Sequence, residues 1–147
     1  MKNLLLAISL FLSAQALSHE DGHGPALTDE SMKGGKVAPI ILAKEVNIGR
    51  KAKMLYKGEL VHQSRKTEVK FYVFDQEMKE VELSKFAKVV TGVQIERGTE
   101  KSFKLILDKS EKFYIGNRPK NKRVPFNIDV KFDGQGQKLF AAFDGLD

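Results

Sequence analysis

From Phe126 to Asp133 the chain alternates strictly: Phe126, Ile128, Val130 and Phe132 are interleaved with Asn127, Asp129, Lys131 and Asp133. A period of two puts these sets on opposite faces of an extended strand, so four apolar groups meet a core while their neighbours meet water. A helix would scatter the same residues around its circumference. The pattern recurs in Val69, Phe71 and Val73, in Val89, Thr91, Val93 and Ile95, and in Phe103, Leu105 and Leu107. Segments 37–42, 54–62, 113–115 and 139–143 add four candidates, and 74–81 reads as a hairpin. Gly98, Asp108-Lys109-Ser110, Gly116-Asn117 and Asp133-Gly134-Gln135-Gly136 fall where turns are needed. After Gly35 no window sustains a helical period. About seven to nine short strands at roughly ten-residue spacing predict an all-β domain, a single antiparallel β-sandwich of immunoglobulin-like plan.

The N-terminus is of another kind. Lys2 is followed by an almost wholly apolar run from Leu4 to Leu12, and then by Ser13-Ala14-Gln15-Ala16. This is the layout of a secretory signal peptide cleaved after Ala16. A run of about nine apolar residues is too short for the ~20 that span a bilayer, and no later segment is a membrane candidate. The expected organisation is a signal peptide at 1–16, a flexible His/acidic tail at 17–34 and the β domain at 35–147, in the periplasm or secreted. The net charge of +6 then points to anionic envelope components or solubility before nucleic acid.

The residue inventory thins the chemistry. The sequence has no cysteine, which excludes disulfides, thiolate metal sites and thiol nucleophiles. His62, near Ser64, is the only histidine of the expected domain, and nothing around it resembles a nucleophile turn or an oxyanion loop. Glu80 with Glu82, and Asp129 with Asp133, read as same-face carboxylates that pair with Lys or Arg across strands. No catalytic set emerges, and the reading is of a non-enzyme. Arg118-Pro119-Lys120-Asn121-Lys122-Arg123 packs four cations into six residues without interleaved aromatics. It reads as a solvated loop, or as a grip for an anionic sugar, a lipid headgroup or an acidic partner.

Cleavage after Ala16 would start the mature chain at Leu17-Ser18-His19. A free amine, the next two peptide nitrogens and an imidazole in third position form a square of four nitrogens, the arrangement favoured by Cu(II) or Ni(II) and not by zinc. Leu17, Ser18 and His19 are therefore the candidate metal site, with His23 auxiliary. Two peptide protons must leave, so binding strengthens as pH rises.

His19-Glu20-Asp21-Gly22-His23-Gly24-Pro25, Gly34-Gly35-Lys36-Val37 and the strand-turn around Phe71-Tyr72-Val73-Phe74-Asp75 resemble a group of small exported bacterial proteins. Similar domains precede the adaptor subunits of some heavy-metal efflux pumps. The resemblance implies a sandwich-like domain, periplasmic metal handling and an efflux-pump or envelope protein partner. In this chain residues 26–33 separate Gly-Pro from Gly-Gly, where that group has few residues.

Overall fold

The structure of the protein, a computed structural model, describes residues 24–147. The signal segment and residues 17–23 of the expected tail lie outside the described residues. The alternating segments become eight strands: β1 (Lys36–Leu42), β2 (Tyr56–His62), β3 (Glu68–Phe74), β4 (Val89–Glu96), β5 (Thr99–Leu107), β6 (Tyr114–Asn117), β7 (Phe126–Gly134) and β8 (Gln137–Leu146). In β7 the four apolar side chains of the alternating run are all buried. In β4 the expected face is reversed: Val90, Gly92 and Gln94 take the inward positions, while Thr91 is exposed and Val89 is 45 % exposed, because the small Gly92 makes room for the Phe103 ring.

The expected sandwich is corrected to a closed barrel of strand order β1-β2-β3-β6-β5-β4-β7-β8, antiparallel throughout. β1 pairs with β2 on one side and with β8 on the other, through Ile41–Phe140 and Leu42–Leu139. Alternation is common to both architectures; what permits closure here is the space left at inward-facing glycines. A Cβ on Gly92 would lie 2.3 Å from the Phe103 ring, and one on Gly58 would lie 2.8 Å from that of Phe71. Phenyl rings thus lie against bare backbone, and one sheet curls around one aromatic core. At its centre Phe71 meets the rings of Tyr114, Phe132 and Phe143 at centroid distances of 6.1, 5.5 and 6.0 Å. The Tyr114 hydroxyl donates to the Ala87 carbonyl at 2.9 Å, and burial pushes its pKa up to about 12.

Outside the barrel, a 3-10 segment at Ala43–Lys51 covers a smaller cluster of Ile41, Ala52 and Phe140. A 3-10 turn at Leu83–Lys85 brings Phe86 against Gly134 at the barrel end where β7 finishes. Outward positions such as Lys104 and Lys131 are exposed. An apolar interior with charged outer positions is the reverse of a barrel that faces lipid. No helix among the described residues is long and apolar enough to cross a membrane.

Candidate functional site

Two features stand out from an otherwise ordinary surface, and each is built on a buried charge. The first is on the outer face of β2, where Lys57 and Glu59 point away from the core. Both are buried nonetheless, because residues 24–35 run over them. Lys57 Nζ pairs with Asp29 at 2.6 Å and donates to the Gln76 carbonyl at 2.7 Å. The Glu59 carboxylate accepts from Ser31 Oγ at 2.5 Å and from the backbone N–H groups of Met32, Lys33 and Gly35 at 2.9, 2.8 and 2.8 Å. Burial would raise this carboxyl's pKa; the bonds from Ser31, Gly35, Lys33 and Met32 outweigh it and hold the carboxyl below the usual range. Lys33 also reaches Glu80 at 3.0 Å. Further toward the N-terminus, Gly24 packs so closely on Pro39 that a Cβ there would lie 2.7 Å from the proline ring. The chain entering the barrel is therefore strapped across β1 and β2.

The second feature closes the barrel end where β2 stops and β7 starts. Arg118, the first cation of the basic run, is not part of a solvated loop: it is 3 % exposed and its guanidinium carbon stacks 4.7 Å above the Phe126 ring. Its Nη1 donates to the Pro119 carbonyl at 3.0 Å, to Asn121 Oδ1 at 2.9 Å and, more weakly, to Gln94 Oε1 at 3.4 Å. Nη2 donates to the Lys66 carbonyl at 3.1 Å, and Nε is buried without a hydrogen-bond partner among the described residues. Glu96 accepts from the N–H groups of Lys122 and Arg123 at 2.8 and 3.2 Å and from Gln94 at 2.7 Å. These bonds, that of Lys122 foremost, keep its carboxyl below the usual range.

His62 meets the same Phe126 ring edge-on at 5.8 Å, with Nδ1 buried and unpaired among the described residues. Burial, then the Arg118 charge, lowers its pKa, while Asp147 opposes the shift. His62 is thus neutral at pH 7, and the stability it contributes in that form is lost as pH falls from about 6.5 through its lower folded pKa. Arg118→Met should raise the His62 midpoint toward that of an exposed histidine in an NMR titration. An unchanged midpoint would mean that the guanidinium does not act on the ring.

His62 and Ser64 line one cleft of about 450 Å³ together with Lys36 and Asp147, but Ser64 lies in the turn beyond β2 and not on the strand. Asp129 and Asp133 sit on β7, and Glu80 has found its cation in Lys33. The predicted metal residues Leu17, Ser18, His19 and His23 lie outside the described residues. Among the described residues no three His, Asp or Glu side chains come together as a metal site. Glu59 and Lys57 escaped the sequence reading because a Lys and a Glu two apart on a strand look like an exposed face. No family model, curated protein or solved structure matches this chain.

Proposed function

We propose that the protein is a non-enzymatic, exported metal-binding or metal-delivery accessory, a rigid barrel carrying a Cu(II) or Ni(II) site at its processed N-terminus. What supports the reading is the strap: the chain that follows His23 is fastened from Gly24 to Gly35 on the outer face of β1 and β2. A ligand-bearing segment rooted in this way has a fixed point of departure from the barrel. The barrel interior is filled by aromatic and aliphatic side chains, so function is assigned to the surface and to the N-terminal segment. The donor set of Leu17, Ser18 and His19 suits a metal that prefers four nitrogens in a square, with periplasmic efflux-pump or envelope proteins as recipients.

N-terminal sequencing of exported protein should give Leu17 as the first residue. Cu(II) titration of that material should show one tight site, abolished by His19→Ala and nearly so by one residue added ahead of Leu17, but little affected by His23→Ala. A different mature start, or affinity that survives the extension, would refute the four-nitrogen site.

A second reading is an adaptor module that binds an envelope protein or an anionic glycan. It is favoured by one observation: Glu96 fixes the backbone of Lys122 and Arg123 while leaving their side chains exposed beside Lys120. Binding of that kind weakens with salt.

A further inference from the structure

The sequence has one conspicuous basic run, but the topology gathers three basic loops. Residues 63–67 join β2 to β3, Arg97-Gly98 joins β4 to β5, and residues 118–125 join β6 to β7; all three connections lie at the same end of the barrel. They expose Arg65, Lys66, Arg97, Lys120, Lys122 and Arg123, and contain no Asp or Glu. The opposite end is mixed, with Asp75, Glu77, Asp108 and Glu111 among its lysines.

These cations are held as one surface. Arg118 bonds the Lys66 carbonyl through its side chain and the Thr67 carbonyl through its N–H, which ties the first loop to the third. Glu96, at the end of β4, binds the third loop through the N–H groups of Lys122 and Arg123, which ties in the β4–β5 turn. Of the carboxylates bordering this end, Glu96 is engaged in these bonds and Glu68 lies 3.9 Å from Lys70, with Glu100 and Asp147 also at the rim. Loops already fixed lose less entropy when they bind.

The chemistry of the rim selects among anions. None of the three loops has an aromatic side chain to stack on a base or a sugar ring. The apolar side chain offered is Val124, 62 % exposed between Arg123 and Pro125. Three cationic loops free of Asp and Glu, with one aliphatic tip, match headgroup phosphates above an acyl boundary. We infer that this end of the barrel docks on an anionic phospholipid surface, six cations against the phosphates and Val124 at the acyl edge. The inference rests on the second reading above in using the Lys120–Arg123 loop; it enlarges that site to three loops and puts a lipid surface in place of the protein or glycan partner. It is independent of any metal.

The test is co-sedimentation of the full chain, in chelator, with phosphatidylcholine vesicles with and without roughly 30 % phosphatidylglycerol. Neutral vesicles report any charge-independent contribution of the N-terminal apolar run. The anionic vesicles should bind in excess of the neutral ones, and this excess should vanish near 0.5 M salt, where the Debye length is only about 4 Å. Each cation is worth about five-fold, so Lys120→Ala/Lys122→Ala/Arg123→Ala should lose on the order of 100-fold. Arg65→Ala/Lys66→Ala/Arg97→Ala should lose as much, although none of its residues belongs to the sequence run. Lys85→Ala/Lys109→Ala/Lys112→Ala, at the opposite end, should bind as the parent does. Equal loss in this control would overturn the inference, as would no excess for anionic vesicles. Binding to heparin without binding to vesicles would overturn the lipid assignment while sustaining the adaptor reading. Failure to bind either would overturn the inference and, with it, the anionic-glycan form of the adaptor reading.

Discussion

Glu59→Gln should destabilise the protein by about 3 kcal/mol, because hydrogen bonds to a buried charged group are worth about 1.5–3 kcal/mol each and an orphaned donor costs a further 1–3. The substitution keeps the volume but points an amide NH2 at a site where three N–H groups and a hydroxyl already converge. Thermal unfolding should report a drop of roughly 10 °C. Hydrogen exchange should show the amides of Met32, Lys33 and Gly35 losing protection first. The parent protein should undergo the same change in acid. With its pKa held below the ordinary range, the carboxylate contributes stability that is fully present above about pH 4.5 and is lost as pH falls through the lower folded value. Asp29, Lys33, Lys57 and Glu80 are the other charged groups around the strap, paired as Lys57–Asp29 and Lys33–Glu80. Glu59→Gln should flatten the acid limb attributable to this group. If the variant melts like its parent with an unaltered acid limb, the strap is not held by the carboxylate.

Phe71→Ala should cost about 3–5 kcal/mol, the range for truncating a fully buried phenylalanine. The ring lies at the waist of the barrel, and Tyr114, Phe132 and Phe143 come from three other strands to meet it. In a sandwich two sheets can close partway over a void; in a closed ring of hydrogen-bonded strands each backbone is fixed on both sides, so collapse is limited. Urea unfolding should therefore show a lower midpoint at an unchanged slope, since the surface exposed on unfolding is the same. Phe71→Leu should recover part of the loss. A cost under ~1 kcal/mol for the alanine variant would mean that the core rearranges freely around the missing ring.

The two substitutions probe parts of the molecule that differed in legibility. Phe71 was readable: Val69, Phe71 and Val73 alternate, and all three are buried. The same holds for the four apolar residues of β7. Closure of the sheet was not readable, because it depends on Ile41 meeting Phe140, and neither residue carries any mark of the other. Period-two alternation separates the two faces of a strand but says nothing of which strand lies beside it. In β4 it names the wrong face, since Val90, Gly92 and Gln94 point inward while Val89 and Thr91 are exposed. Glu59 was missed for a related reason. Its face of β2 is charged in sequence and dry in space, since the cover comes from a segment rich in small and polar residues that itself reads as tail. The basic run was half legible. Lys120, Lys122 and Arg123 are the exposed cations its composition suggested, while Arg118 went inward because Phe126 and a ring of carbonyl oxygens were waiting there. Arg65, Lys66 and Arg97 join that surface through the topology alone.

Pairing β1 with β8 also fixes when the molecule can become itself. A chain that emerges N-terminus first, from a ribosome or through a membrane pore, presents β1 early and must leave one flank of it unpaired until nearly every other residue has followed. The loop to be closed is almost the length of the barrel, and its entropy is lost before the Ile41–Phe140 contact repays any of it. The incomplete sheet in the interval has two bare edges that attract other strands. A truncation that removes β8 alone would leave those edges open for good.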